Sequence, residues 1–314
     1  MLLTTRAFNT LLYARYPYLT RRYRRKFGKP PNYANPSLYS EKVQWRKVFD
    51  RNPLFPLFLD KLEVRHHVAR TAPGLRLPEL LWSGSDPLAI PYHSLGNRYV
   101  IKPNCRSGDW HFVLSAGDID REVISDKCRR WMISPHGKKL REWGYSRVKP
   151  RLLVERLLCP DSGDNRLQDF RFDVFDGCVR MITVTTAQIA DTRRTPLSLD
   201  TFYDRNWQQL PFIKPGRQSR TPPPLKRPSQ LENMIAWAEQ LGHGLDYVRV
   251  DLYLVENDTY FSELTVYPGS GLQMSRVSPE PDLAAVDDFD SFMGGHWKLP
   301  EMPRHTMVYR ALLG

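Results

Sequence analysis

Residues 247–266, with the sequence YVRVDLYLVENDTYFSELTV, constrain the fold more than any other stretch of the chain. Apolar and polar residues alternate on both sides of the polar tripeptide Glu256-Asn257-Asp258. Such alternation predicts two β-strands joined by a tight turn, with apolar side chains on one face and polar side chains on the other. The chain must therefore build a sheet that buries one face of this hairpin.

The predicted hairpin brings two carboxylates together on its polar face. If the three turn residues form the loop, Asp251 lies across from Glu263, and Arg249 lies across from Thr265. Apposed carboxylates repel, so a positive charge usually sits between them, and oxygen ligands at this spacing suit Mg²⁺ together with phosphate oxygens. An exposed sheet face with an Arg–Asp pair explains the pattern equally well, and the hairpin alone leaves both interpretations open.

The length and composition favour a cytoplasmic protein of more than one subdomain. A chain of 314 residues can bury a sizeable core, typically in roughly two or three domains or subdomains. The four cysteines form no Cys-x-x-Cys pair, which favours a reducing compartment and argues against a zinc site or a disulfide framework. No apolar run is long enough to span a membrane, and the N-terminus is not a convincing signal peptide.

The net charge of +12 is concentrated at the N-terminus, where residues 1–40 carry eight basic side chains and no acidic ones. Leucines and tyrosines are interleaved with them. Such a segment could lie on an anionic membrane surface, track nucleic acid, or be a solvated arm without a specific partner. We retain peripheral contact of residues 1–29 with an anionic membrane at its inner face, and nucleic acid is the less favoured partner. The basic residues are Arg6, Arg15, Arg21, Arg22, Arg24, Arg25, Lys26 and Lys29.

A short strand followed by a polar loop is predicted at residues 98–109. The segment RYVIKP presents Lys102 at its end, and the loop after it contains Ser107 and Gly108. A lysine with free backbone N–H groups nearby suits a phosphate, although an ordinary strand and turn is the simpler explanation of this segment alone. A helix predicted over residues 54–69 carries Lys61 and Arg65 ahead of it.

Further strands are predicted at 151–158 and 168–185. The first, RLLVERLL, is apolar apart from Glu155 and its flanking arginines, and a strand-end salt bridge is the simplest role for that glutamate. The second alternates strictly and turns at Asp176-Gly177, with Asp169, Arg171 and Asp173 on its polar face. A proline-rich stretch at 186–228 adds arginines that could meet an anionic substrate or simply solvate a loop: Arg193, Arg194, Arg217 and Arg220.

Six segments of the chain stand in a characteristic order. They are NPSLYSEKVQWRKVFDRNPLF at 35–55, DKLEVRHHV at 60–68, YVIKPN with SG at 99–108, LLVERLL at 152–158, QDFRFDVFDG at 168–177, and YVRVDLY with YFSELTVYPGSG at 247–271. Together they resemble the TupA-like branch of the ATP-grasp superfamily, which is linked to the synthesis of teichuronopeptide and other surface polysaccharides. The resemblance covers about residues 32–271.

The resemblance implies an α+β ATP-grasp fold, in which two α+β subdomains grip ATP between antiparallel sheets. Residues 1–50 would then form a basic N-terminal helical segment. Residues 51–150 would form the subdomain with Lys102 and the phosphate loop, and residues 151–314 the subdomain with the metal-binding hairpin.

The same resemblance implies a role for each matching residue. Lys102 would contact the ATP phosphates with help from Lys61 or Arg65, and Arg171 would point at phosphate. Arg249 would balance charge on the transferred phosphoryl group, while Asp251 and Glu263 would bind Mg²⁺, with Thr265 standing where many members place an asparagine ligand. The remaining implied nucleotide contacts are Ser107 and Gly108 in the covering loop, Glu155, Arg156 and Leu157 at the hinge, and Asp169 beside Arg171.

The activity implied is that of an ADP-forming, Mg²⁺-dependent carboxylate–amine ligase that acts through an acyl phosphate. The resemblance points to attachment of an amino acid or amine to a uronic-acid-containing surface polysaccharide or its precursor, that is, to an anionic small-molecule or glycan acceptor. Two alternatives remain open. One is a sugar or glycan kinase on the same scaffold, and the other is a non-catalytic basic protein that binds membrane or nucleic acid.

Overall fold

The structure is a computed structural model that describes residues 4–133, 137, 139–159, 166–188, 199–216, 218–273, 275–278 and 288–313. Arg193, Arg194 and Arg217, which the sequence suggested for an anionic substrate, lie outside these residues. The helices are α1 (Thr5–Arg15), α2 (Pro17–Phe27), α3 (Tyr39–Phe49), α4 (Leu54–Leu59), α5 (Val64–Thr71), α6 (Arg121–Ile133), α7 (Leu231–Gly242), α8 (Phe289–His296) and α9 (Arg304–Leu313).

The strands form antiparallel sheets. They are β1 (Leu80–Gly84), β2 (Tyr99–Pro103), β3 (His111–Val113), β4 (Leu152–Arg156), β5 (Arg166–Phe175), β6 (Cys178–Gln188), β7 (Asp200–Tyr203), β8 (Phe212–Ile213), β9 (Tyr247–Val255), β10 (Asp258–Thr265) and β11 (Arg276–Val277). A four-stranded sheet has the order β1-β4-β2-β3, a five-stranded sheet has the order β10-β9-β5-β6-β7, and β8 pairs with β11. Helices combined with antiparallel sheets confirm the predicted α+β class.

The five-stranded sheet has one apolar and one polar face, as the alternation in β5 and β9 predicts. Phe170, Phe172, Val248, Val250 and Leu252 are fully or almost fully buried on the apolar face. There they join a hydrophobic cluster that includes the buried side of α7. Asp169, Arg171 and Asp173 lie on the opposite side, which we call the polar face. Burial of one face thus fixes which side chains the other face presents.

The β9–β10 turn is shorter than predicted, yet the predicted facing pairs are present. Val255 pairs with Asp258, so that the loop holds only Glu256 and Asn257, and the three-residue turn is wrong. A register shift between Phe261 and Glu263 then restores the pairing of Asp251 with Glu263 and of Arg249 with Thr265. The extra residue, Ser262, is a β-bulge, which compensates for the residue that the turn lacks.

The helix predicted over residues 54–69 is two helices, α4 and α5, separated by a turn. Asp60 Oδ1 accepts hydrogen bonds from the backbone N–H groups of Leu62 at 2.9 Å and Glu63 at 3.3 Å. An aspartate that bonds to backbone ahead of it competes with the continuous helix and starts a new one. Lys61 therefore lies in a turn, where its N–H donates to the carbonyl of Asn104 at 3.0 Å.

The apolar side chains of the N-terminal segment are part of the protein interior. Phe8, Leu12, Tyr16 and Leu19 are buried in a cluster with residues of α3 and α9. All eight basic side chains between Arg6 and Lys29 are exposed. The segment therefore presents charge to solvent and keeps its described large apolar residues largely inside. No helix among the described residues has both the length and the apolar character needed to cross a membrane.

The four-stranded sheet extends past the predicted subdomain boundary at residue 150. Strand β4 pairs with β1 and β2, so the chain leaves this sheet after Arg156 and enters the five-stranded sheet at β5. The division into segments 1–50, 51–150 and 151–314 stays a prediction, with β4 grouped with the sheet that precedes it.

Candidate active site

Two rows of side chains cross the polar face of the five-stranded sheet. Because neighbouring strands are antiparallel and in register, residues directly opposite each other form these rows. The first row is Glu263, Asp251, Arg171 and Thr183, and the second is Thr265, Arg249, Asp173 and Met181. The structure thus brings together all six residues that the sequence placed on this face for metal or phosphate contacts, since Asp169 lies two positions before Arg171 on the same strand.

Arg249 lies between the facing carboxylates. Its Nε and Nη2 donate to Oδ1 and Oδ2 of Asp251 at 2.7 and 2.5 Å. The same Nη2 lies 3.5 Å from Glu263 Oε1 and 3.2 Å from Thr265 Oγ1, and Thr265 Oγ1 donates to Glu263 Oε1 at 3.2 Å. A single guanidinium therefore contacts both carboxylates and offsets their repulsion.

The two carboxylates differ in proton affinity. Burial raises the pKa of Asp251, and the charge of Glu263 adds to the rise, while the bidentate contact with Arg249 opposes it. For Glu263 burial would also raise the pKa, but the charges of Lys61 and Arg249 outweigh it and hold the pKa below its ordinary value. Of this pair, Glu263 is thus the carboxylate held more firmly in its ionised form.

Lys102 lies on the four-stranded sheet and is held there by Glu155. Its Nζ is 2.7 Å from Glu155 Oε2, and Arg65 Nη1 is 2.8 Å from Glu155 Oε1. Glu155 is buried, so one carboxylate fixes two basic groups from different elements. The predicted strand-end salt bridge is therefore present, and the predicted hinge contact of Glu155 with adenine and ribose stays a prediction.

The two residues that follow Glu155 make contacts at the edge of the same sheet. Arg156 is paired with Glu79 at 3.2 Å, and the N–H of Leu157 donates to the carbonyl of Arg98 at 2.9 Å. These contacts hold the end of β4 against the residues that directly precede β1 and β2. Whether nucleotide contacts Arg156 or Leu157 stays a prediction.

Lys61 links the two sheets. Its Nζ donates to the carbonyl of Arg106 at 2.6 Å and lies 3.9 Å from Glu263 Oε2. Arg106 belongs to the loop after Lys102, and Glu263 belongs to the metal-binding hairpin proposed from the sequence. Burial lowers the pKa of Lys61, an effect that Glu263 opposes and Lys102 reinforces. Both sheets therefore contribute charged groups to one region.

The loop after Lys102 exposes the two residues predicted to cover phosphate. Arg106 and Asp109 form an ion pair with an Nε–Oδ2 distance of 2.5 Å, and Ser107 and Gly108 between them are exposed. Gly108 has a φ of +81° and no atom within 4 Å of the position of a Cβ. The glycine is therefore required by the backbone conformation and not by lack of space.

Sequence reasoning missed a cleft at the other end of the polar face. It is small, with a cavity volume of about 70 Å³. Its polar lining includes Arg171 and Arg249 from the predicted set, and also Asp173, Asp200 and Lys214. The alternation in the sequence placed Asp173 on the polar face with Asp169 and Arg171 but assigned no role to it. Asp200 and Lys214 lie in the proline-rich stretch at 186–228, where no pattern pointed to either residue.

The facing carboxylates fit a magnesium ion that is shared with a nucleotide. Among the described residues, no group of three or more His, Cys, Asp or Glu could hold a metal by itself. Mg²⁺ commonly takes only one or two protein carboxylates and leaves its other positions to phosphate oxygens and water. Asp251 and Glu263, with the Thr265 hydroxyl beside them, match that donor set.

The family model described as TupA-like ATPgrasp matches residues 41–283. The chain belongs to this family. The match includes most of α3, both larger sheets and the β9–β10 hairpin, and it confirms the resemblance found in the sequence and the ATP-grasp fold class. Helices α1 and α2 lie outside the match. They carry seven of the eight exposed basic residues, and the eighth, Lys29, follows α2.

Three solved structures illustrate the likeness to other proteins. D-alanine–D-alanine ligase from Bacillus anthracis complexed with ATP is 16% identical, with 67% of this chain and 55% of that chain covered and a TM-score of 0.37. L-amino acid ligase from Bacillus licheniformis is 12% identical, with 68% of this chain and 44% of that chain covered and a TM-score of 0.44. The ADP complex of PurK, N5-carboxyaminoimidazole ribonucleotide synthetase, is 11% identical, with 72% of this chain and 50% of that chain covered and a TM-score of 0.42. The chain spans about half the length of these structures. No match was found among the curated proteins.

Proposed function

We propose that the protein is an ATP-dependent ligase that joins a carboxylate to an amine through an acyl phosphate. The observation that carries this proposal is the meeting of charged groups from two sheets. Asp251 and Glu263 face each other around Arg249, and Lys61 reaches Glu263 from the turn that adjoins the Lys102 loop. Membership of an ATP-grasp family supports the assignment of this region to nucleotide.

The chemistry requires activation because a carboxylate is a poor acyl donor. Transfer of the γ-phosphoryl group of ATP to the carboxylate gives an acyl phosphate, which an amine attacks to form an amide with release of phosphate. Such transfer needs little covalent help from a protein, and it depends mainly on alignment and on neutralisation of charge. Closely spaced lysines, arginines and carboxylates supply both requirements.

The residues of the site divide these tasks. Lys102 and Lys61 would bind phosphate oxygens, and each is already oriented by an acidic partner or a backbone carbonyl. Arg249 and Arg171 would stabilise negative charge on the transferred group, since both lie in the central rows of the polar face. When bound by Asp251, Glu263 and Thr265, Mg²⁺ would offset the charge of the phosphates.

The remaining nucleotide contacts follow from position. Ser107 and Gly108 would cover the phosphates from the exposed loop after β2, with Gly108 providing its left-handed backbone conformation. Glu155, Arg156 and Leu157 would line the hinge between the sheets, because the chain passes there from β4 towards β5. Asp169 orients Arg171, to which it is bound at 2.6 Å.

The acceptor proposed is anionic. The positive charge of Arg171, Lys214 and Arg249 would attract an acceptor such as a uronic-acid glycan towards the polar face of the sheet. The exposed basic side chains of α1 and α2 would favour work at an anionic membrane face, where lipid-linked glycans are assembled. Because the apolar residues of α1 and α2 are largely buried, that contact would be mainly electrostatic.

One assay tests the reaction class. The purified protein is incubated with Mg-ATP, a panel of uronic acids and amino acids as carboxylates, and hydroxylamine as a trapping nucleophile, while ADP, AMP and hydroxamate are scored. ADP with hydroxamate supports an acyl phosphate. ADP with a product heavier by a phosphate indicates a kinase. AMP, or no binding of Mg-ATP, contradicts the proposal.

A further inference from the structure

The cleft on the polar face has a charged floor and an apolar wall. Strand β5 supplies Arg171 and Asp173 to the floor, β7 supplies Asp200, and Lys214 follows β8. Helices α3 and α8 close the cleft from above with Tyr39, Phe289 and Met293. A polar ligand with a small apolar part would therefore find matching surfaces, as small-molecule sites generally require.

Among the residues that the structure describes, every carboxylate but one on the polar face is paired with a basic group. Asp169 is bound to Arg171 at 2.6 Å, Asp200 to Lys214 at 2.6 Å, and Asp251 to Arg249 at 2.5 Å. Glu263 lies 3.9 Å from Lys61. Asp173 is the exception, because it forms no ion pair with any residue that the structure describes.

Asp173 is buried and is held by a chain of hydroxyl groups. It is 4% exposed, and its Oδ1 accepts a hydrogen bond from the Tyr247 hydroxyl at 2.6 Å. Tyr247 uses its proton in this bond, so the hydroxyl of Tyr39, 2.8 Å away, donates to Tyr247. A buried carboxylate without a cation is costly, and a site that retains one can recover the cost by binding a cationic ligand.

The surroundings of Asp173 also suit a proton acceptor. Burial raises the pKa of Asp173 to about 6, an effect that Tyr247, Arg249 and Arg171 oppose. Arg249 faces it from β9, Met181 faces it from β6, and the ion pair of Asp200 with Lys214 lines the same cleft. An acid with a pKa near the working pH can both take up and release a proton.

We propose that this cleft binds the amine substrate, an amino acid, with its ammonium group on Asp173, and that Asp173 accepts the proton which the amine must lose before it attacks. The inference rests on the proposed ligase function and assigns a place to its nucleophile. The carboxylate of the amino acid would lie towards Lys214 and the arginines, and its side chain towards Phe289 and Met293.

The proton balance of the step is complete without a further reactant. The ammonium ion gives one proton to Asp173, and its nitrogen lone pair then forms the C–N bond with the acyl carbon. The C–O bond to phosphate breaks, and phosphate leaves with that electron pair. The second proton of the nitrogen goes to the departing phosphate, and Asp173 returns its own proton to solvent through the open mouth of the cleft.

The test is a calorimetric titration of the full chain with each of the twenty standard amino acids in the presence of Mg²⁺ and AMP-PNP. The wild type should bind at least one of them. The N-acetyl derivative of that amino acid has no ammonium group and should bind about 10-fold more weakly or worse, as expected for loss of a charge-assisted hydrogen bond. The Asp173→Asn variant, which keeps the acceptor for Tyr247, should show the same loss for the free amino acid.

Asp258→Asn is the matched control, because Asp258 is exposed and is paired with Arg76 away from the cleft. It should bind as the wild type does. The inference is overturned if Asp173→Asn binds the amino acid as tightly as the wild type does. It is also overturned if the wild type binds the N-acetyl derivative as tightly as the free amino acid. If Asp173→Asn does not fold, the N-acetyl comparison on the wild type decides alone.

Failure of the inference and failure of the proposed function give different results. Binding of Mg-AMP-PNP without binding of any amino acid overturns the amine site and leaves the ligase proposal standing. Absence of Mg-AMP-PNP binding contradicts the ligase proposal itself, and the amine site falls with it.

Discussion

Arg249 makes contacts with Asp251, Glu263 and Thr265 at once, and the candidate site is centred on it. The guanidinium allows the buried Asp251 and the partly buried Glu263 to remain close together on neighbouring strands. A nucleotide with its metal would bring both positive charge for the carboxylates and negative charge for the arginine. The same side chains can thus stabilise the fold and take part in phosphoryl transfer.

Neutralising either facing carboxylate should abolish turnover while the chain still folds. Asp251→Asn and Glu263→Gln preserve the shape of the side chain and one acceptor oxygen, but they remove the charge that a divalent ion requires. We expect the rate of ADP release to fall about 100-fold or more, at least as large as the effect typical of altered metal-site residues. ADP release is measured by a coupled assay, with Asp258→Asn as the control. Unchanged rates in both variants would refute the metal assignment.

Asp173→Asn should stabilise the protein above about pH 6. The pKa of Asp173 is raised from 3.8 to about 6 in the folded chain, so the folded state binds the proton more tightly than the unfolded state does. This stabilisation of the wild type is complete at low pH and is lost as pH rises through the folded-state pKa. The neutral variant avoids the loss, which is at most about 3 kcal/mol. Urea unfolding at pH 4 and pH 7.5 measures the free energy of unfolding of the variant and the wild type. If the difference between them does not grow with pH, the raised pKa of Asp173 is contradicted.

The β9–β10 hairpin shows what alternation can and cannot predict about an element. The facing of Asp251 and Glu263 was predicted from a three-residue turn, whereas the structure uses a two-residue turn and a bulge at Ser262. The spacing of three between the apolar residues Phe261 and Leu264 interrupts the period of two, and it was the available signal for the bulge. Period alone therefore gave the correct face, but local backbone geometry decided the register.

The break between α4 and α5 is a second case in which local hydrogen bonding overrides periodicity. Residues 54–69 have the apolar spacing of one helix, but Asp60 bonds to the backbone of Leu62 and Glu63 and ends the first helix. This break turns Lys61 towards the loop after β2. A competition between a side chain and the helix for the same backbone groups is not visible in a hydrophobic pattern.

Asp60→Ala should loosen this turn and weaken nucleotide binding. Loss of the two backbone contacts should lower the free energy of unfolding by about 1–2 kcal/mol, the usual cost of losing a helix cap. The KM for ATP should rise because Lys61 is no longer held in place. The matched control is Glu63→Ala, since Glu63 shares the partner Arg151 but is more exposed. Denaturant unfolding and initial rates measure both effects, and equal behaviour of the two variants would contradict the role given to the turn.

At the scale of the whole molecule, two sheets from separate parts of the chain each provide acidic and basic side chains to the candidate site. The four-stranded sheet carries Lys102 and Glu155, the five-stranded sheet carries the carboxylates and arginines, and Lys61 contacts both sets. The family resemblance allowed these groups to be predicted residue by residue. The alternation of apolar and polar residues in the two hairpins predicted that those on β5, β9 and β10 share the polar face of the sheet. Asp200 and Lys214 could not be predicted in the same way, because only tertiary packing brings β7 and the segment after β8 beside Asp173.

The N-terminal helices α1 and α2 should be required for stability independently of their charge. Their residues Phe8, Leu12, Tyr16 and Leu19 are buried, so deletion of residues 1–29 should lower the free energy of unfolding by on the order of 5 kcal/mol. Replacement of the exposed Arg21, Arg22, Arg24 and Arg25 by Gln should change the melting temperature little. Thermal unfolding measures the melting temperature of both variants. A deletion variant that melts at the wild-type temperature would contradict the packing of α1 and α2. The charge variant is therefore the appropriate one for tests of binding to anionic vesicles.

The proposed phosphoryl transfer requires a divalent ion held jointly by β9 and β10, and a Mn²⁺ derivative locates such an ion directly. Crystals grown with Mn²⁺ and AMP-PNP should show an anomalous peak between the Asp251 and Glu263 carboxylates, at about 2.0–2.3 Å from their oxygens and in contact with the phosphates. A bound nucleotide whose metal lies elsewhere, with both carboxylates still held only by Arg249 and its neighbours, would contradict the claim.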